Sequence, residues 1–266
     1  MGNKRLEGKV ALVSGAGQRG HIIGTGRASA ILFAQEGARV FLVDWNEESA
    51  AQTKAMIEAD GGTAFVCQAD VTKDTDCKTV IDSCTEELGS LDILLNNVGG
   101  PGGGDVTEVT DALWNESLDR NLKSAAFMSK YAVPAMAGSG GGSIIHVSSI
   151  DGYRAGNSRN VPYSVAKAGV IQLTRTMAVH HGRENIRVNC IAPGHLHGPF
   201  VEQIPSDWRD MRKRAGPLGT EGTAWDFAWA AVFLASNESR WISGVVLPVD
   251  AGLQAATPLS VLHSLI

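Results

Sequence analysis

Short apolar runs alternate with longer stretches of helical period along this chain, and that alternation limits the folds open to it. The runs are "KVALVSG" (9–15), "ARVFLVD" (38–44), "TAFVCQAD" (63–70), "LDILLNN" (91–97), "GGSIIHVSS" (141–149), "IRVNCIAPG" (186–194) and "GVVLPVD" (244–250). Each has strand length and is apolar at consecutive positions, so both of its faces must be covered. Between them, 26–37 reads as a helix closed by Gly37, and Asn46 with Glu47 and Glu48 starts another. Further helices are expected over 73–89, 163–182 and 223–236. A helix near 111–137 places Leu118, Leu122, Ala125 and Ala132 on one face of a 3.6-residue period. There is no internal repeat and no linker. Residues 194–222 form the one long irregular connection, of the kind that closes over a site. The whole chain, 1–266, therefore reads as a single α/β domain, doubly wound around a mostly parallel seven-stranded sheet with helices on both faces. Ligands are expected at the C-terminal ends of the strands.

Composition narrows the function classes. The chain is 44% hydrophobic and 19% charged, which supports a substantial core. Its net charge of −5, from 23 basic and 28 acidic residues, gives no electrostatic reason to expect nucleic acid. No apolar run approaches the roughly 18 residues that span a bilayer. The N-terminus enters the first strand without the apolar segment of a secretory signal. Cys67, Cys77, Cys84 and Cys190 form no CxxC pair or metal-ligand cluster and read as reduced thiols in a cytoplasmic protein. The histidines offer no HExxH or equivalent spacing, so no metal is expected.

In "YSVAK", Tyr163 and Lys167 stand four residues apart on a helix and project from one face. An ammonium beside a phenol favours the phenolate, at about 1.4 kcal/mol per pKa unit. Such a pair can move a proton on and off an alcohol oxygen. Upstream lie "IIHVSSIDG", "NNVGG" and a glycine-rich turn, and "RVNCIAPGH" follows the helix. This order and spacing, from about Lys9 to Gly252, resemble the short-chain dehydrogenase/reductase family, whose fold is of the Rossmann type.

The resemblance implies roles. Tyr163 matches the acid/base, and Lys167 the residue that lowers its pKa and holds the nicotinamide ribose. Ser149 matches the group that hydrogen-bonds the substrate oxygen, and Asn121 the helix residue that supports a water relay. The interval of 14 from Ser149 to Tyr163 is one longer than the family's commonest, so Ser148 stays as an alternative. Asp70 and Val71 match the pair beside the adenine, and Asp70 also reads as a helix N-cap. Asn97, Gly99, Pro193 and Gly194 fall in motifs that line the cofactor. A tetramer built on the two long helices is also implied, and the small-residue faces at 118–132 and 166–177 fit it.

The glycine turn "VSGAGQRGHIIGTGRASA" departs from the family pattern. Gly15, Gly24 and Gly26 map onto its glycines, with eight residues between the first two where three are usual. An alternative alignment uses Gly20 for the middle glycine. Gly15 would make the turn, Gly24 admit the pyrophosphate and Gly26 allow helix–strand packing. The inserted residues could fold over the phosphates, with Arg19 neutralising charge, or bulge into solvent. Asp44, ending the second strand, can accept both adenosine-ribose hydroxyls and would repel a 2′-phosphate. Trp45 follows with no basic neighbour, so NAD is favoured over NADP, with Arg19 the contrary residue.

Gly100 in "GGPGGGD" (99–105), Asp151, Arg154 and His195 are the substrate-side candidates. The glycine run also reads as a flexible crossover. Gly198 stands where the family commonly has a threonine that contacts the nicotinamide carboxamide. "WRDMRKR" (208–214) reads either as a lid meeting an anionic group or as a solvated helix face. The apolar tail, 253–266, is expected against another subunit. Together these features point to an NAD-dependent dehydrogenase of a small-molecule secondary alcohol such as a sugar, polyol or cyclic alcohol. An NADPH-dependent ketoreductase on 3-oxoacyl carriers and a non-catalytic dinucleotide sensor are the alternatives.

Overall fold

Val10 and Leu12 of the first strand face one side of a sheet and Ala11 and Val13 the other, and all four are buried. The computed structural model, which describes residues 4–156 and 158–265, builds that sheet from seven strands. They are β1 (Val10–Ser14), β2 (Arg39–Asp44), β3 (Thr63–Gln68), β4 (Ile93–Asn96), β5 (Gly142–Val147), β6 (Ile186–Pro193) and β7 (Val246–Val249). Their order is β3-β2-β1-β4-β5-β6-β7 and every pairing is parallel. The winding reverses between β1 and β4, which leaves a crevice beyond their C-terminal ends.

Two apolar layers cover the sheet. On one side α1 (Thr25–Gln35) and α8 (Ala224–Ala235) contribute Phe33, Ile31, Phe227 and Val232, joined by Ile57 of α2 (Glu47–Ala59). On the other, Val80 and Cys84 of α3 (Asp74–Leu88) meet Met128 and Met136 of α5 (Ser124–Gly138) and Met177 of α6 (Val161–His181). Helix starts follow local chemistry. The Asn46 side chain caps α2 by accepting from the Ser49 N–H at 2.9 Å, and Thr223 with Asp226 forms a capping box on α8.

Two expectations change. The helix expected over 111–137 is α4 (Asp111–Leu118) and α5 joined by a π-helical turn, Asp119–Lys123. The wider turn shifts the helical phase, so Leu118 and Leu122 are only half-buried while Ser117, Asn121 and Ser124 face inward. The 194–222 connection is not irregular throughout, because it contains α7 (Ser206–Ala215). The tail folds back on its own chain through α9 (Leu262–Leu265), where Arg214 Nε donates to the Ser264 carbonyl at 2.5 Å. Leu259 and Leu262 stay exposed, and Ile266 lies outside the described residues.

Candidate active site and cofactor cleft

The strand ends β1, β4, β5 and β6 open into one cleft of about 2030 Å³. That is more than the ~300–1,000 Å³ of a pocket for one small ligand, and leaves room for two ligands end to end. Its nucleotide half is built on the glycine turn. Gly15 has φ 69°, and its N–H donates to the Val43 carbonyl at 2.8 Å. A Cβ at Gly26 would run into the Gly15 carbonyl and come within 2.5 Å of Asn97 Nδ2, so only glycine lets α1 pack against the turn after β1 there. Gly24 is the N-cap of α1 and supplies no side-chain cap, so the first-turn N–H groups keep their capacity for an anion.

Gly17 is a functional glycine that the motif mapping passed over. Its N–H donates to Asp44 Oδ2 at 2.9 Å, and a Cβ would lie 2.8 Å from that oxygen. The other Asp44 oxygen accepts from the Asn46 N–H at 3.0 Å. Trp45 beside it is exposed. Asp70 and Val71 follow β3 on the same wall. Asp70 is not a helix cap, since Lys73 holds that position on α3 and Asp70 Oδ1 instead accepts from Thr72 Oγ1 at 2.7 Å. Burial pushes the Asp70 carboxyl up, but the Thr72 bonds and the Lys73 charge outweigh it and hold it below the usual range.

The inserted residues fold across the groove. The Arg19 guanidinium lies 4.9 Å from the Trp45 ring centroid and 5.9 Å from that of Phe200. The His21 N–H donates to both Glu202 carboxylate oxygens at 3.1 Å. Gly20 lies inside this strap at φ 69° beside Glu202, so Gly24, at the mouth of α1, takes the middle-glycine position.

At the floor, Lys167 Nζ donates to the Val147 carbonyl at 2.8 Å and sits 5.6 Å from the Tyr163 ring centroid. Burial brings the Lys167 ammonium down to about 8. Tyr163 is half-buried, and burial pushes its phenol up although the neighbouring Ser149 side chain acts to lower it, with Asp151 adding to the rise. The lowering expected from Lys167 is not realised in this arrangement. Ser148 is turned away, its hydroxyl donating to the Lys167 carbonyl at 2.7 Å.

Asn121 stands behind the cleft, only 2% exposed, in the π-helical turn. It clamps Gly100, accepting from its N–H at 3.0 Å and donating to its carbonyl at 3.1 Å. A Cβ at Gly99 would lie 3.0 Å from Asn121 Oδ1 and 3.2 Å from Lys167 Nζ. At Gly102 it would lie 2.6 Å from Ser117 Oγ. Gly99, Gly100 and Gly102 therefore let this segment pack on the end of α4 and the π-helical turn and are not simply a flexible crossover.

Pro193 and Gly194 end β6 at the cleft, and a Cβ at Gly194 would lie 2.6 Å from Asp250 Cβ. The space around Gly198 is open. Asp151, Arg154 and His195 line the opposite end. His195 Nδ1 donates to the Arg212 carbonyl at 3.3 Å, and burial together with the Arg212 charge lowers its pKa. Trp208, Met211 and Arg212 of α7 also line this end, and their 3.6-residue spacing was the signal by which they could have been found. Among the described residues no cluster of three or more histidine, cysteine, aspartate or glutamate side chains could hold a metal.

This cleft on this sheet has close counterparts. A profile described as enoyl-(acyl carrier protein) reductase matches residues 20–254. A crystal structure of a short-chain dehydrogenase/reductase from Burkholderia xenovorans superposes with TM-score 0.91 at 40% identity, covering 96% of this chain and 99% of that one. The chain belongs to the short-chain dehydrogenase/reductase family. It is an oxidoreductase with the Rossmann fold of that family. The 3-oxoacyl-[acyl-carrier-protein] reductase of Thermotoga maritima is 35% identical over 249 residues, covering 94% of this chain and 99% of that one. A 7α-hydroxysteroid dehydrogenase solved with NADH and 7-oxo glycochenodeoxycholic acid has TM-score 0.86 at 34% identity, covering 94% of this chain and 96% of that one.

Proposed function

We propose that the chain transfers hydride between NAD(H) and a secondary alcohol or its ketone, on a polar substrate such as a hydroxylated sugar, polyol or cyclic alcohol. The carrying observation is that Ser149, Tyr163 and Lys167 meet at the floor of a cleft whose far wall is Asp44. The residues present fit a dinucleotide. Gly15, Gly24 and Gly26 would hold the diphosphate at α1, Asp44 the adenosine ribose, and Lys167 the nicotinamide ribose. The bound nicotinamide would supply the hydride acceptor or donor. The chain's own part is positional: Ser149 holds the reacting oxygen, Tyr163 takes or returns its proton, and Asn121 fixes the Gly100 segment beside Lys167.

NAD is favoured over NADP because the Asp44 carboxylate would repel a 2′-phosphate, whereas Arg19 is turned onto two aromatic rings. The relative solved with NADH supports the same choice. The similarity to a 3-oxoacyl-carrier reductase favours a second reading, an NADPH-dependent ketoreductase. A comparison of initial rates with NAD and NADP over sugars, polyols, cyclic alcohols and hydroxy acids separates the two. A kcat/KM for NADP above that for NAD overturns the first. A third reading, a dinucleotide sensor without turnover, is disfavoured because all four positions of the proton path are filled. The four thiols are free, which fits a cytoplasmic setting. The exposed Val165 and Val179 on α6 fit a homotetramer joined through the long helices.

A further inference from the structure

Helix α7 has two faces with different partners. Arg209 pairs with Glu221 at 2.5 Å, and Arg214 bonds the Ser264 carbonyl and Asp210, all away from the cleft. Trp208, Met211, Arg212 and Ala215 form the other face and line the cleft. Arg212 is half-buried there, and among the described residues its guanidinium donates only to the Leu196 carbonyl, at 3.4 Å. Arg154, in the loop between Ser149 and Tyr163, lines the same cleft. Among the described residues neither arginine has a carboxylate within 4.0 Å. Of the other arginines on the walls, Arg120 pairs with Glu116 and Arg159 with Asp105 and Glu108, while Arg19 lies over the Trp45 and Phe200 rings in the nucleotide half.

The remaining charges at this end are few. Asp151 accepts from Asn160 Nδ2 at 3.0 Å and lies within electrostatic reach of Arg212, as does Glu221, whose charge is matched by its pairing with Arg209. His195 is kept neutral by burial and by the two arginines. Two guanidinium groups against one carboxylate leave the end positive. A half-buried guanidinium without a carboxylate has given up hydration for nothing within the chain. Its planar fork matches a carboxylate oxygen pair. Leu196, Ile204, Trp208 and Met211 give the same end an apolar wall.

We propose that Arg212 and Arg154 form an anion-binding end of the substrate site, and that the preferred substrate is a hydroxy acid with an apolar carbon frame, anchored by its carboxylate. This rests on the alcohol–ketone reading above and narrows its substrates from sugars and polyols to cyclic or other apolar-framed alcohols that carry a carboxylate. The carboxylate is a handle and takes no part in the redox step.

The test measures binding of cyclohexanecarboxylate and of cyclohexanecarboxamide to the enzyme–NADH complex, by NADH fluorescence at constant ionic strength. The carboxylate is expected to bind about ten-fold more tightly or better. Arg212→Gln and Arg154→Gln should each remove most of that preference, with carboxamide and NADH affinities unchanged. Equal binding of the two probes, or a preference that survives both substitutions, overturns the inference. A panel of neutral and acidic alcohols and ketones with both cofactors separates this from the parent reading. Turnover of neutral members with no charge preference sinks the anion site alone. No turnover of any member sinks the alcohol–ketone reading, while the probe experiment still judges the anion site.

Discussion

The Ser148 hydroxyl donates to the main-chain carbonyl of Lys167 at 2.7 Å, tying the end of β5 to α6. That bond occupies Ser148 and leaves Ser149 as the serine facing Tyr163. Ser149→Ala should therefore lower kcat/KM by roughly 10²-fold with stability nearly unchanged. Ser148→Ala should cost about 1–2 kcal/mol of stability and change kcat only a few-fold. Steady-state kinetics with urea unfolding of both variants checks the assignment, and the reverse pattern would exchange the two serines.

Tyr163→Phe removes the group that exchanges the proton and keeps the ring. Turnover should fall by about 10²–10⁴-fold. NADH affinity should change little, because the nucleotide half of the cleft is built from the glycine turn and Asp44. Turnover near wild type would mean that the proton travels another way.

At Gly26 there is no room for a methyl group, whereas at Gly24 a Cβ would sit 3.6 Å from Pro199 Cγ, an ordinary contact. Gly26→Ala should cost about 1–3 kcal/mol of stability and weaken NADH by ten-fold or more, as α1 is pushed off the Gly15 turn. Gly24→Ala should leave stability within roughly 0.5 kcal/mol. Thermal unfolding and NADH titration of the pair separate a packing glycine from a cofactor-facing one.

His146 is fully buried on β5, with Nδ1 3.2 Å from Asn96 Nδ2 and, among the described residues, no partner for Nε2. Burial, aided by the Lys167 charge, pulls its pKa down to about 3. The unfolded chain takes up that proton near pH 6.5, so the neutral ring's contribution to stability is complete above 6.5 and is lost as pH falls toward 3. The loss runs at ~1.4 kcal/mol per pH unit. His146→Asn should remove this component, so the stability difference between wild type and variant should shift steadily below pH 6.5. A difference constant from neutral pH down to pH 4.5 would show that the ring is not held neutral.

Much of this architecture was legible in the chain itself. Consecutive apolar positions in "KVALVSG" and "ARVFLVD" demanded cover on both faces, and a parallel sheet is how that demand is met. Tyr163 and Lys167 could be paired from spacing alone, because the helical repeat is local. The 111–137 phase was misread because a π-helical turn adds no signal to a hydrophobic pattern, and it moved Asn121 inward. Helix α7 was legible only as one of two readings of 208–214, because its exposed, charged face masks a short cleft-facing stripe. Gly17 escaped because its constraint, the Asp44 carboxylate, comes from another strand.

The sequence by itself determined the sheet, the winding and the residue types gathered at its C-terminal edge, since those follow from periodicities of two to four residues. Only the tertiary structure decided which of Ser148 and Ser149 meets Tyr163. It also turned the five-residue insertion across the groove to Glu202 and left Arg212 facing the cleft without a carboxylate. Those outcomes depend on contacts between segments far apart in the chain, and local propensity carries no record of them.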